Sequence, residues 1–535
     1  MKKSLFALVA FILILSLGLA GCNSSKTSSD GNGKKGGDGG GVMIYGKGGD
    51  AVGLDPAHET DGESFIVTEQ IFEPLLSYKK ENTDVQPGLA KSWEISKDNL
   101  KYTLKLEEGI KFHDGTDFNA EAVVKNFERW MNGDAAKFPY YASMFGGYKK
   151  DKAHVIKEVK AVDKNTVQFT LKRPQAPFLK NLAMSPFAIS SPAAIEKYGD
   201  KIGQNPVGTG PFKFKEWKRD ATITVVKNDS YWKKGLPKLD GVTFKVIKDN
   251  SARMNALTKG EVDLIDNVNP SELDKIKSNN KLQVFERPSM NVAYLGFNTE
   301  KAPFNKKEVR QAINYLVNKD ELIKNFYNGT AEAAATPLPS AIAGQNKDVK
   351  DYGYNETKAK ELLKKAGLEK GFKMDLWAMP VSRPYMPDGK KIAEAIQANL
   401  KKVNIDANIV TFDWGVYLEK IRKGESPAFL IGWTGDNGDA DNFLYSLLDK
   451  DTINSNNYSR YNSPAVHKLL IEAQSTADEA KREVLYKKAE KIIHEDAPWV
   501  PLVHAKPILG GTSKIKDFYP HPKGSQSFVE VSMTK

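Results

Sequence analysis

The sequence predicts an α/β protein, and residues 373–439 carry most of that expectation. Three runs there read as strands: 373–379 (KMDLWAM), 407–412 (ANIVTF) and 428–433 (AFLIGW). Between the first two, Ile392, Ala395, Ile396 and Leu400 recur at helical spacing within 390–402. A short helix over 416–423 separates the second and third. Strands that alternate with helices pair in parallel, because a parallel neighbour needs a crossover.

The remaining elements follow by the same rules. Residues 42–46 (VMIYG) form a first strand, followed by a glycine-rich loop to residue 53 that fits no dinucleotide fingerprint. Residues 71–78 and 90–95 lead into 100–106, where Leu100, Tyr102, Leu104 and Leu106 alternate with polar residues as in a half-buried strand. His113 and Asp114 sit in an Asp-Gly turn. Asn119 caps a helix running to Met131 through Ala120, Val123, Val124 and Phe127. Further strands are expected at 167–171, 221–226, 242–247 and 292–298, and helices at 251–259, 464–474 and 480–494. Residues 208–212 (GTGPF) make a turn rather than a phosphate loop, since no helix start follows. Val309, Ala312, Ile313 and Leu316 mark a strongly periodic helix. Two short strands, 500–503 and 508–510, are expected to return to the first domain.

A chain of 535 residues exceeds one core, so two or three domains are expected. The formal net charge of +11 is spread among many acids, with no basic stripe interleaved with aromatics, which argues against nucleic acid. The single cysteine, Cys22, rules out an internal disulfide and a cysteine metal site. No HExxH, GxxxxGK[ST] or GxSxG motif occurs, so no metal, cofactor or catalytic residue is assigned.

The N-terminus has a positive start (Met1-Lys2-Lys3) and an apolar run over 5–19, short for a spanning helix. Leu19-Ala20-Gly21-Cys22 resembles the lipobox of bacterial lipoproteins. That resemblance implies that residues 1–21 are a signal peptide and that Cys22 carries the lipid. Residues 22–41 then form a flexible Gly/Ser/Lys tether with a reach of roughly 25 Å. The expected location is the extracytoplasmic face of the cell membrane.

Open α/β sheets bind ligands beyond the carboxyl ends of their parallel strands. Two charged groups fall there, Arg383 after the first strand of the 373–439 stretch and Asp436 after the third. One rim thus offers a cation and an anion from different loops. This suits a ligand with a carboxylate at one end and an ammonium at the other.

Several stretches together match one family. AKSWEISKDNLKYTLKLEEGIKFHDGTDFNAEAVVKNFERW, VGTGPFKFKEW, NDSYW, ALTKGEVDLID, LGFNTEKAPFNKKEVRQAIN and GWTGDNGDADNF are similar to the extracytoplasmic solute-binding proteins of peptide and nickel ABC importers, family 5. The likeness covers nearly all of residues 43–535. It implies a bilobed periplasmic-binding-protein-like fold of the large peptide-binding type, with two subdomains in one lobe and two chain crossings as the hinge. Lobe I would span 42–290, lobe II 291–505, and 506–535 would return to lobe I.

WAMPVSRPYMPD, FDWGVYLEK and GWTGDNGDADNF resemble the ligand-contacting lobe of dipeptide-binding members. That resemblance implies that Arg383, of the RPY motif, clamps a peptide carboxylate and Asp436, of WTGD, takes the ammonium. Pro384, Tyr385, Trp433, Thr434 and Gly435 would complete this wall. Thr60, in LDPAHET, matches a contact from the first lobe, although the loop AHETDGES departs from the family's usual wording. The implied function is a monomeric, lipid-anchored receptor that delivers dipeptides or short peptides to ABC permease subunits. Other cargoes carried by relatives stay open: haem, murein peptides, glutathione, longer oligopeptides or a nickel chelate. An extracellular peptidase is the reading from a different class.

Overall fold

The computed structural model describes residues 40–134, 136–453 and 455–534. The expected signal peptide, Cys22 and the tether up to residue 39 lie outside them. Three main sheets organise these residues. A seven-stranded sheet has the spatial order Leu282–Glu286, Ile508–Thr512, Leu264–Ile265, Val42–Lys47, Gly241–Val246, Thr222–Lys227, Phe212–Lys218. A four-stranded antiparallel sheet runs Ala90–Ile95, Lys101–Leu106, Thr166–Leu171, Ile156–Asp163. A six-stranded sheet runs Ala331–Ala333, Trp499–Ala505, Asn291–Phe297, Ala428–Thr434, Phe372–Trp377, Ile405–Val410.

The four-stranded sheet follows from its patterning. In Lys101–Leu106 the buried residues Tyr102, Leu104 and Leu106 alternate with more exposed ones, and they share one core with the helix Ala120–Met131, which packs on Ile156–Asp163 and Thr166–Leu171. Asn119 Oδ1 accepts the Ala122 N–H at 3.0 Å and so caps that helix. Phe127 meets Phe169 edge to face with centroids 4.8 Å apart, which ties helix to sheet.

In the six-stranded sheet, Asn291–Phe297 and Trp499–Ala505 are buried along their whole length. Such strands read as apolar runs without alternation because both faces are covered. Phe372–Trp377 pairs in parallel with Ile405–Val410 and with Ala428–Thr434, as the alternation predicts. Asn291–Phe297 joins Ala428–Thr434 antiparallel.

One expectation needs correction. The strand expected at 500–503 does not return to the first sheet. Trp499–Ala505 pairs with Asn291–Phe297 and Ala331–Ala333, and only Ile508–Thr512 crosses back. Local pattern says that a segment is a strand, but not which sheet takes it. Residues 71–78, expected only to lead into the strand at 100–106, contain the short strand Leu76–Tyr78. Before it runs a helix, Gly62–Ile71, that the sequence pattern hides: Ser64, Thr68 and Gln70 are buried together with Ile66, Val67 and Ile71. A helix buried around most of its circumference has no amphipathic period to detect.

The chain crosses between the large sheets twice, from Glu286 to Asn291 and from Ala505 to Ile508. The two crossings touch, with the Arg287 N–H donating to Pro507 O at 2.9 Å. A second seam forms at the loop after Ala428–Thr434. Thr83 Oγ1 and Lys180 Nζ both donate to Gly438 O at 3.1 Å, and Asn437 Nδ2 donates to Asn181 Oδ1 at 2.8 Å.

Candidate functional site

A cavity of ≈ 570 Å³ lies between the two large sheets. One wall comes from the carboxyl ends of the parallel strands Phe372–Trp377 and Ala428–Thr434, which place Arg383, Thr434, Gly435 and Asp436 on it. The facing wall comes from the other sheet's side. It includes Thr60 and Asp61 before the helix Gly62–Ile71, Asp266 after the strand Leu264–Ile265, and Arg287 on the first crossing. Val42–Lys47 is parallel to both Gly241–Val246 and Leu264–Ile265. The cavity therefore meets carboxyl ends of parallel strands from both sides, where strand termination leaves loops free to carry polar groups.

Arg383 sits on a tight loop. Its backbone exchanges two hydrogen bonds with Met386, at 3.0 and 2.9 Å. Its side chain is exposed, with Nη1 donating to Ser382 O at 3.2 Å. No carboxylate among the described residues pairs with it, so its planar fork is available to an incoming anion.

Asp436 is held from two sides. Asn442 Nδ2 donates to Oδ2 at 3.0 Å, while Asn442 Oδ1 accepts the Asp436 N–H at 2.9 Å. Tyr140, from the facing side of the cleft, donates its hydroxyl to Oδ1 at 2.9 Å. Burial pushes the Asp436 carboxyl up, and the Asn442 and Tyr140 bonds work against that rise. Each oxygen has one donor. A carboxylate offers about four acceptor positions, so room remains for an ammonium.

Gly435 has a steric reason: a Cβ there would stand 2.6 Å from the Phe443 ring. Its N–H is tied to Met290 O at 2.8 Å, which fixes the loop on the sheet.

Five of the eight residues singled out in the sequence as ligand contacts line this cavity: Thr60, Arg383, Thr434, Gly435 and Asp436. Pro384, Tyr385 and Trp433 do not. Pro384 is exposed. Tyr385 is buried, with its ring filling the space over Gly432 and its carbonyl accepting from the Tyr327 hydroxyl at 2.8 Å. Trp433 donates Nε1 to Asn442 Oδ1 at 3.0 Å and so braces the residue that holds Asp436. The sequence reading missed Asn442, Tyr140, Asp266 and Arg287. Asn442 lies inside the quoted GWTGDNGDADNF run and was within reach of inspection. Tyr140, in FPYYASMF, carries no local signal at all.

Behind the cavity, Tyr78, Ser185 and Lys523 form a partition shared with a second cavity of ≈ 280 Å³. Lys523 Nζ is paired with Glu69 Oε1 at 2.6 Å, and the Ser525 hydroxyl donates to the same oxygen at 2.5 Å. Among the described residues, one group of metal-type ligands meets outside the main cavity, Asp449, Asp451 and His467. Its atoms are engaged with each other: Asp449 Oδ1 accepts from the Asp451 N–H at 2.9 Å and lies 3.0 Å from His467 Nδ1.

The fold and cleft define a two-lobed binding protein, and comparison with known proteins gives the family. Residues 84–455 match the model described as bacterial extracellular solute-binding proteins, family 5 Middle. The chain is 39% identical over 509 residues to a dipeptide-binding protein of Escherichia coli, covering 92% of this chain and 94% of that one. It is 38% identical over 498 residues to heme-binding protein A of Haemophilus influenzae, covering 90% of each. A periplasmic binding protein of Helicobacter pylori associated with an ABC transporter, solved with the peptide STSA, superposes with a TM-score of 0.78 at 37% identity, covering 93% of this chain and 99% of that one. The chain belongs to the bacterial extracellular solute-binding proteins, family 5. No helix among the described residues is long and apolar enough to cross a membrane.

Proposed function

We propose that this protein captures short peptides with free termini outside the cytoplasm and delivers them to the permease of an ABC importer. The observation that carries this reading is the pairing of Arg383 and Asp436 on one wall of one cavity, from loops after two parallel strands. In this reading Arg383 takes the peptide carboxylate and Asp436 its ammonium. Thr434 and the Gly435 backbone meet the peptide amides much as an added strand would, and Thr60 closes from the opposite side. Capture is binding without chemistry.

The energetics fit. Hydrogen bonds to charged groups are worth about 1.5–3 kcal/mol each, and micromolar affinity needs only about 8 kcal/mol. A cavity of ≈ 570 Å³ lies within the usual range for small ligands. A fully extended dipeptide spans about 7 Å, so anchoring both ends selects for length while leaving side chains free to vary.

In the same reading, 42–290 with 506–535 forms one lobe and 291–505 the other, and the two crossings act as the hinge. The protein works as a monomer, tethered through a lipid on Cys22. Replacing Cys22 with Ala should release it from the membrane fraction into the medium.

Titration calorimetry decides the ligand class. Free dipeptides should bind at micromolar affinity or better, and capping either terminus should weaken binding at least tenfold. Arg383→Ala should weaken it by two decades with an unchanged melting temperature. If doubly capped peptides bind as well as free ones, the cargo is of another kind, and haem is the first to try, given the likeness to heme-binding protein A.

A further inference from the structure

Gly435 and Asp436 are fastened to the first turn of the helix Asp441–Leu448 by two consecutive residues of that helix. Phe443, fully buried, packs where a side chain on Gly435 would have to go. Asn442, also buried, meets Asp436 twice: its Oδ1 accepts the Asp436 N–H at 2.9 Å, and its Nδ2 donates to Asp436 Oδ2 at 3.0 Å. Trp433 Nε1 donates to the same Asn442 Oδ1 at 3.0 Å, and the Asn442 N–H is held by Asp439 O at 3.1 Å. Two N–H groups thus converge on one oxygen, which settles the way the amide points. Turned over, it would aim its NH₂ at two donors and its oxygen at a carboxylate.

We propose that Asn442 is the positioning residue for capture of the ligand's ammonium, with Trp433 setting its orientation. This deepens the peptide-capture reading and rests on it. Trp433 stands on the strand Ala428–Thr434 and Asn442 on the helix, so sheet and helix together fix the plane of the Asp436 carboxylate. An amide suits the position because it supplies a donor without a charge. A lysine there would pair with Asp436 and compete with the ligand, and a second carboxylate would have to share a proton with it. Tyr140 and Tyr78 are the titratable groups that face Asp436, and burial keeps both protonated through the range where a carboxylate titrates. Asp439 lies three residues along the same loop. Asp61, Glu63, Asp266, Arg287, Arg383 and Lys523 line the same cavity, and none of them bonds to Asp436. Neutral donors alone therefore keep this buried carboxylate ionised and aimed, and Asn442 is the one with a second contact to hold it in place.

Calorimetry with Ala-Phe, its N-acetyl form and its C-terminal amide tests this on Asn442→Leu and Trp433→Phe. Asn442→Leu should weaken Ala-Phe and its amide at least tenfold, and the N-acetyl form, which has no ammonium, less than threefold. The acid limb of Ala-Phe binding between pH 4 and 8 should rise by about one unit, because Asp436 loses a donor to its charged form. Trp433→Phe should move the limb in the same direction by less. It carries the test alone if Asn442→Leu does not fold, and the acid limb carries it if the N-acetyl form binds too weakly to measure. Equal losses on the free and N-acetyl forms, or an acid limb that stays in place in the folded variants, would overturn the positioning role while leaving the capture reading intact. If the wild type binds none of the three peptides, the capture reading itself fails, and the role of Asn442 falls with it.

Discussion

The Tyr140 hydroxyl donates to Asp436 Oδ1 over 2.9 Å, joining residues 296 positions apart. The bond spans the cleft, so the carboxylate that would take the ligand's ammonium is itself braced by the opposite side. Tyr140→Phe should weaken dipeptide binding about tenfold, as expected for one hydrogen bond to a charged group. It should also move the acid limb of the binding profile to higher pH. Asp436 must be ionised to hold an ammonium, burial already raises its pKa, and losing a donor raises it further. Calorimetry from pH 4 to 8 would reveal both effects.

A glycine sits at the seam between the two sides of the cleft. Gly438 has φ +66°, and a Cβ on it would collide with the Thr83 side chain across the seam. Gly438→Ala should therefore hold the cleft ajar, weaken dipeptide affinity at least tenfold, and leave a larger radius of gyration in saturating peptide. Small-angle scattering with and without ligand measures this. A variant that still contracts like the wild type would remove the seam from the closing mechanism.

Asp439 is the electrostatic centre of that seam. Arg482 Nη2 lies 2.7 Å from Oδ1, and Lys180 Nζ reaches 3.5 Å from the other side. Burial alone would push the carboxyl up, but Arg482 and Lys180 outweigh it and hold it well below the usual carboxylate range. A depressed folded-state pKa contributes stability above the unfolded value of about 4, and that stability is lost as pH falls below it. Asp439→Asn should cost about 3–5 kcal/mol at pH 7 by leaving Arg482 buried and uncompensated. The difference from wild type should shrink below about pH 4. Urea unfolding at pH 7 and pH 3 compares the two.

Glu490 behaves in the opposite sense. It is fully buried, and burial raises its pKa to about 8 against the hydrogen bonds it accepts, including Asn346 N–H at 2.6 Å. Between about pH 4.3 and 8 the folded state keeps a proton that the unfolded chain has lost, so this group costs stability as pH rises. Glu490→Gln should gain on the wild type across that range, by up to about 1.4 kcal/mol per pH unit. Melting temperatures that stay parallel from pH 5 to 8 would contradict this.

Much of the cleft's first wall could be read directly from the chain. The strands around Arg383 and Asp436 are short, apolar and separated by an amphipathic helix, so local pattern alone implied parallel pairing and put both charges at the same ends. The helix Gly62–Ile71 escaped because burial on several sides erases periodicity. The strand Trp499–Ala505 was recognised as a strand but given to the wrong sheet.

The sequence by itself determined the α/β class, the order of most elements and the two charges on one rim. These follow from spacing within tens of residues, where hydrophobic period and crossover length act. Only the tertiary structure decided what faces that rim. Tyr140, Asp266 and Arg287 reach the cavity from segments with no local mark of function, because their placement is set by how distant parts of the chain pack around it. It also decided that Tyr385 and Trp433 serve the wall without lining it: which side of a loop a ring takes depends on the neighbour it packs against, here Gly432 and Asn442.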